Sequence, residues 1–253
     1  MHASTPPQDF QKLGDATLVL DLDGTLAETA PDLIAALNFV LASEGIEPMP
    51  VASARWLLGA GGRVLIQRGF ALANRPLDAA TLETLFARFL SHYNAHIADH
   101  STLFPGVLES LDRFAAAGWR LAVCTNKLEA SSHLLLGKLG VADRFAFVCG
   151  QDTFGIGKPD PKPLLETIRK AGGRPDRAVM VGDSRTDIDT AKAARVPVVA
   201  VDFGYTDKPV AELGPDRVIS HFDALFEAAE ALLGAASVEP PSGAARHLPK
   251  ANA

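Results

Sequence analysis

The stretch Leu18-Val19-Leu20-Asp21-Leu22-Asp23-Gly24-Thr25 joins a short apolar run to two carboxylates and a Gly-Thr break. The apolar part reads as a buried strand. Two acids at the end of such a strand are costly to desolvate unless a positive group sits between them. A hard cation such as Mg2+ meets that need. It prefers oxygen ligands and is commonly held by one or two carboxylates plus substrate phosphate. In strand geometry Asp21 and Asp23 point to one face, so they can serve one reaction centre in different roles. The plainer alternative is an Asp-Gly turn with no chemistry.

Three further stretches carry polar residues of matching type. The apolar run 119–124 leads into Thr125-Asn126-Lys127, where a hydroxyl and free backbone N–H groups at a helix start can hold an anion. Read alone, that stretch is an N-cap. Gly155-Ile156-Gly157-Lys158-Pro159-Asp160-Pro161 sets Lys158 in a stiff loop suited to placing one cation; read alone, it is a surface lysine. The run 178–181 ends in Gly182-Asp183-Ser184-Arg185-Thr186-Asp187, with two carboxylates four apart. Read alone, these are acids favoured by a helix dipole. Together the stretches put Asp21, Asp23, Thr125, Lys158, Asp183 and Asp187 at the ends of four strands. The acids suit a metal, and the hydroxyl and the lysine suit an anion. Phosphoryl transfer needs that set, because positioning and charge stabilisation supply most of its catalysis.

The elements that must position these groups follow from periodicity. Strands are expected at 16–20, 119–124, 145–149, 178–181 and 196–201, with a short one at 218–219. Helices are expected at 107–117, 128–139, 161–171, 188–194 and 223–233. This alternation implies an α/β fold, a Rossmann-like parallel sheet covered on both faces. In such sheets ligands bind beyond the carboxyl ends of the strands. Nothing between Pro31 and His100 reads as a strand. Helical patterns after Pro31 and over 51–58, 63–72 and 77–95 make this block an insertion after the first strand. The expected division is a core from 1–28 and 101–236, a helical cap from 29–100 and a disordered tail from 237–253. The tail is rich in Pro, Ala, Gly and Ser and cannot bury enough apolar surface to order itself. Residues 1–14 read as a loose polar leader.

The chain has 253 residues, 47% of them hydrophobic, which allows one large core with an insertion. A net charge of −6 argues against nucleic acid or an acidic membrane surface as partner. The N-terminus lacks an apolar signal core, and no apolar stretch is long enough to span a bilayer. Cys124 and Cys149 lie in apolar runs, so free buried thiols in a reducing compartment are expected. A soluble cytoplasmic protein acting on a small molecule is the expectation. The sequence leaves its oligomeric state open.

The motifs Asp21-Leu22-Asp23-Gly24-Thr25, Thr125-Asn126, Lys158-Pro159 and Gly182-Asp183 through Asp187 resemble, in order, those of the haloacid dehalogenase superfamily on its phosphatase side. The resemblance covers roughly Leu18 to Leu233, and the helical block looks like that family's inserted cap. Thr29-Ala30-Pro31-Asp32-Leu33, the run from Lys158 to Leu164, and Phe203-Gly204-Tyr205 are similar to its phosphoglycolate phosphatase members. So is the cap stretch from Arg55 to Gly62. The chain departs by carrying Glu28 where those members usually have Asp.

The resemblance implies the following roles. Asp21 attacks phosphorus and forms an aspartyl-phosphate. Asp23 is general acid and then general base. Mg2+ is held by Asp21, the backbone carbonyl of Asp23, and Asp183, with Asp187 orienting that set. Thr125, the N–H of Asn126 and Lys158 bind the phosphate. Arg55 or Arg63, with the glycines between them, is expected to receive a substrate carboxylate. The second acid, Asp23, argues against a dehalogenase. A phosphatase for a sugar or amino-sugar phosphate, or a sugar-phosphate mutase, stays open beside phosphoglycolate. A non-catalytic binding module is disfavoured by the complete motif set.

Overall fold

The computed structural model describes residues 15–206 and 208–236. The expected leader and tail therefore lie outside the described residues. In chain order the strands are β1 (Thr17–Leu20), β2 (Ala27–Glu28), β3 (Thr102–Leu103), β4 (Arg120–Cys124), β5 (Phe147–Cys149), β6 (Ala178–Gly182), β7 (Val198–Val201) and β8 (Arg217–Ile219). Six form one sheet in the order β5-β4-β1-β6-β7-β8, with every pairing parallel. The α/β core expected from alternation is therefore present.

These strands read as continuous apolar runs because both of their faces are covered. Successive side chains go to opposite sides of the sheet. Leu18, Leu20, Leu121, Val123, Val179 and Val181 join one buried cluster, whereas Val19, Ala122, Met180, Val198 and Ala200 join another. The first side is packed by α5 (Val107–Ala116) and α9 (Leu225–Ala236) through Leu111, Phe114 and Leu225. The second is packed by α7 (Pro161–Lys170) and α8 (Arg185–Ala194) through Leu164, Ile168 and Ile188. Cys124 and Cys149 are free and buried on this second side.

The block between β2 and β3 holds α1 (Ala30–Ser43), α2 (Val51–Ala54), α3 (Gly62–Leu72) and α4 (Ala79–Ala95), and no strand. Pro31 stands in the first turn of α1, where its missing N–H costs nothing. Asp78 caps α4, its carboxylate accepting from the N–H of Thr81 at 2.8 Å. Where the chain enters and leaves the block, β2 and β3 pair antiparallel. Asp32 closes the same junction by accepting hydrogen bonds from the N–H groups of His100 and Ser101 and from the Ser101 hydroxyl.

Three local expectations are corrected. The helix expected over 51–58 is one turn of α2 and a 3-10 turn, Arg55–Leu57, after which Leu58 is extended. Gly59 and Gly61 follow with φ of +91° and +88°, a backbone that ends the helical path. Helix α8 starts at Arg185 rather than Ile188, because Ser184 and Asp187 close its N-terminus. Asp21 and Asp23 do not extend β1, which ends at Leu20. They lie on a tight loop in which Ala27 N–H donates to Leu22 O and Gly24 N–H to Ala27 O.

Candidate active site

The register of the sheet sets the site. Leu20 of β1 is paired with Val123 of β4 on one side and with Val181 of β6 on the other. Asp21, one residue on, therefore lies between the strand ends that lead to Thr125 and Asp183. The loop after β5 brings in Lys158 from beyond β4. All four of these residues are buried.

Asp21, Asp183 and Asp187 each offer an oxygen within 4.8 Å of the others. Lys158 is only 6% exposed, which excludes the surface-lysine reading. Its Nζ lies 2.5 Å from Asp187 Oδ1 and 3.0 Å from Asp21 Oδ1. Burial alone would lower the Lys158 pKa, but Asp187 and Asp21 outweigh it and the pKa rises, so the ammonium persists. Burial pushes Asp21 up to about 6, against the pull of Lys158. Asp183 is raised well above the usual range by burial first, then by Asp187 and Asp21.

Asp187 has both of its oxygens engaged. Oδ2 accepts from Ser184 N–H at 3.0 Å and from the Ser184 hydroxyl at 2.6 Å, while Oδ1 accepts from Lys158. Asp187 thus closes the start of α8 and pairs with Lys158 at once. Asp183 is fixed by the Thr25 hydroxyl at 3.0 Å and the Tyr205 N–H at 2.6 Å. A Cβ on Gly24 would come within 2.6 Å of Asp183 Oδ2, and one on Gly204 within 2.4 Å. Two backbone segments approach this carboxylate as only glycine allows.

Thr125 is no N-cap. Helix α6 (Glu129–Lys138) starts later, with Leu128 at the cap position. Its hydroxyl accepts from Lys127 N–H at 3.3 Å. The Asn126 carboxamide grips the backbone of Lys158, accepting from its N–H at 2.8 Å and donating to its carbonyl at 3.0 Å. That pair ties the loop after β4 to the loop that carries Lys158.

Sequence reasoning passed over Lys127. Its Nζ lies 2.8 and 2.9 Å from the two oxygens of Asp23 and 4.5 Å from the centroid of the Tyr93 ring. Asp23 Oδ1 also accepts from the Thr29 hydroxyl at 2.8 Å. Lys127 follows Thr125-Asn126 directly, and its apolar neighbourhood becomes visible only when α4 packs over it. Tyr205 likewise stands out in the sequence only as part of the Phe203-Gly204-Tyr205 motif. Its hydroxyl accepts from Thr29 and Ala30 N–H at 2.6 and 2.9 Å and donates to Glu28 at 2.7 Å.

A cavity of about 60 Å³ lies between the strand ends and the helical block. Asp21, Asp23, Thr125, Asn126 and Lys127 form its floor. Leu58, Leu65, Phe86, Phe89, Leu90 and Tyr93 form its apolar roof, with Gly59, Gly61 and Gly62 at its edge. The expected arginines do not line it. Arg55 pairs with Glu28 at 2.5 Å and covers the Tyr205 ring. Arg63 is exposed and forks onto Glu83 with both contacts at 2.7 Å, over the Phe86 ring. Each guanidinium found an acid on a neighbouring segment, Arg55 on β2 and Arg63 on α4, which spacing in sequence does not reveal.

The acid cluster fits a hard divalent cation. Among the described residues, the carboxylates of Asp21, Asp183 and Asp187 lie within 4.8 Å of one another with Lys158 as their ion-pair partner. A divalent cation would offset the remaining excess of acid. Asp21 Oδ1 is buried and accepts no hydrogen bond, since Lys158 stands at ion-pair distance without the alignment for one. An all-oxygen donor set suits Mg2+.

A parallel sheet with acids, a threonine and a lysine at its strand ends, under an inserted helical block, defines a class of hydrolase. The chain matches the family model of haloacid dehalogenase-like hydrolases over residues 18–201, and it belongs to that family. It is 54% identical over 220 residues to a phosphoglycolate phosphatase of Mesorhizobium japonicum, covering 87% of this chain and 97% of that relative. A phosphoglycolate phosphatase of Agrobacterium fabrum is 47% identical over 210 residues, covering 83% and 90%. Among solved structures, one described as a predicted phosphoglycolate phosphatase from Haemophilus somnus superposes with a TM-score of 0.79 at 28% identity, covering 86% of this chain and 99% of that one. The chain is accordingly an enzyme, a phosphoric monoester hydrolase.

Proposed function

We propose that this enzyme is a Mg2+-dependent phosphatase that hydrolyses 2-phosphoglycolate to glycolate and phosphate through an aspartyl-phosphate. The observation that carries the reading is Asp21. It is a buried carboxylate with an oxygen free of hydrogen bonds, beside an ammonium at 3.0 Å, on the floor of a cavity it shares with a second acid, Asp23.

In the first half-reaction an Asp21 oxygen bonds to phosphorus and the ester P–O bond breaks. Asp23, held by Lys127 and Thr29, gives its proton to the departing oxygen. In the second, Asp23 takes a proton from water as the water oxygen bonds to phosphorus. The acyl-phosphate P–O bond breaks, and the Asp21 carboxylate is restored. Thr125 and the N–H of Asn126 hold the non-bridging oxygens, and Lys158 offsets the charge of nucleophile and phosphate together. Mg2+ would be held by Asp21, Asp183 and the carbonyl of Asp23, and it would supply charge stabilisation for the phosphoryl group. Asp187 keeps Lys158 and the start of α8 in place.

The helical block, 29–100, acts as a cap over the core, 1–28 and 101–236, and excludes water from the reaction. The substrate assignment is supported by the names of the relatives. A turnover screen over small phosphate monoesters with Mg2+ tests the reading. The highest kcat/KM is expected for 2-phosphoglycolate; a sugar phosphate ranking first would overturn the substrate and leave the phosphatase standing.

A further inference from the structure

Phosphoglycolate carries two anions a few bonds apart, and the core site accounts for the phosphate alone. A carboxylate buried without a partner is strongly unfavourable. Arg55 and Arg63 are committed to Glu28 and Glu83 and stand outside the cavity. Among the described residues that line it, one cation is present, Lys127.

Lys127 is 8% exposed, and its ammonium lies over the Tyr93 ring. An ammonium has three N–H donors. Its two contacts with Asp23 leave one donor for a further acceptor. Tyr93 lines the same cavity, and its hydroxyl is buried with no hydrogen-bond partner. A buried hydroxyl left in that state is unusual and costs stability. The third feature is the start of α3. This helix of 11 residues has Gly61 at its N-cap, no side-chain cap and no acid in its first turn. Its first N–H groups are therefore open to an anion. Gly61 and Gly62 line the cavity, and a Cβ on Gly61 would stand 3.2 Å from the carbonyl of Asn126, the residue before Lys127. Cap and core donors thus meet at one place, under a roof of Leu58, Leu65, Phe86, Phe89 and Leu90 that offers an anion nothing else.

We propose that Lys127 of the core, with the Tyr93 hydroxyl and the N-terminus of α3, is the receptor for the substrate carboxylate. The proposal rests on the phosphoglycolate reading and deepens it. It moves carboxylate recognition from the cap arginines to the residue that also holds Asp23. One ammonium then touches both the acid that protonates the leaving oxygen and the carboxylate two bonds from that oxygen. An ester without the carboxylate leaves Tyr93 and α3 unmatched.

The test compares kcat/KM for 2-phosphoglycolate with that for 2-hydroxyethyl phosphate, which replaces the carboxylate by an alcohol. The ratio of the two is measured in wild type, Lys127→Met, Lys127→Arg and Tyr93→Phe. Lys127→Met is expected to lower the ratio roughly tenfold or more, the loss expected for a charged hydrogen bond, mainly through KM for phosphoglycolate. Lys127→Arg keeps the charge and should recover part of it. Tyr93→Phe keeps the ring and should lower the ratio several-fold. Should Lys127→Met fail to fold, Tyr93→Phe and Lys127→Arg still decide. If both substrates lose equally in each variant, Lys127 serves Asp23 alone and the proposal falls while the substrate reading stands. If wild type shows no preference for phosphoglycolate, both fall.

Discussion

The carboxyl edge of the sheet and the helical block above it solve different problems with different chemistry. At the sheet edge, polar side chains bridge segments far apart in sequence: Thr25 to Asp183, Asp23 to Lys127, Asn126 to the Lys158 backbone. Of these, Asp23–Lys127 is an ion pair, and removing one member of such a largely buried pair strands the other's charge, at a cost of about 3–5 kcal/mol. In the block, many charged groups pair on the surface, Arg63 with Glu83 and Arg88 with Glu44. Such pairs contribute about 0–1 kcal/mol. What the block turns toward the site is apolar side chains, glycine backbone and the unpartnered Tyr93 hydroxyl. The charged groups of the cavity thus come from the sheet edge, and the block adds a largely apolar cover with neutral donors.

The comparison can be broken most sharply at Asp21. Asp21→Asn replaces the proposed nucleophile by an amide of equal size in the same buried place. Single-turnover and steady-state rates should fall by at least roughly a thousandfold, with circular dichroism unchanged. A rate within about tenfold of wild type would mean that the floor of the cavity is not where the chemistry occurs.

Next comes the metal. Exhaustive chelation should abolish turnover, and restored Mg2+ should recover it. Asp183→Asn should raise the Mg2+ concentration for half-maximal rate by tenfold or more, because it removes one carboxylate from the cluster of three. Full activity in verified metal-free protein would show that Lys158 and Lys127 suffice for the buried acids.

A smaller effect is expected where block and core are joined. Arg55→Ala removes the pair with Glu28, which is half-buried and shared with Tyr205. The loss should be about 1 kcal/mol, read as a Tm lower by roughly 2–4 °C. The smallest belongs to Arg63→Ala, which removes an exposed pair outside the cavity. kcat/KM for phosphoglycolate should stay within about threefold of wild type. A tenfold loss there, with the carboxylate-free ester unaffected, would return carboxylate recognition to the cap arginine.

Much of this protein is local and therefore legible in its sequence. Apolar runs such as Thr17–Leu20 and Ala178–Gly182 specify buried parallel strands, because both faces must be hydrophobic. Residues directly after those runs lie at the carboxyl edge, so the pattern alone places Asp21, Thr125 and Asp183 together. The two-residue strands β2 and β3 carry no periodicity and were not legible. Neither was the fate of long charged side chains. Arg55 and Arg63 have the right chemistry for a carboxylate, but a guanidinium reaches any acid that folding brings close, and Glu28 and Glu83 are 27 and 20 residues away. Lys127 shows the converse. Its position was read with its motif, but its role depends on Asp23 being 104 residues back along the chain and on α4 placing Tyr93 beneath its ammonium. Strand ends are fixed by pattern, whereas pairing of flexible charges is decided by long-range packing, and only the tertiary structure contains it.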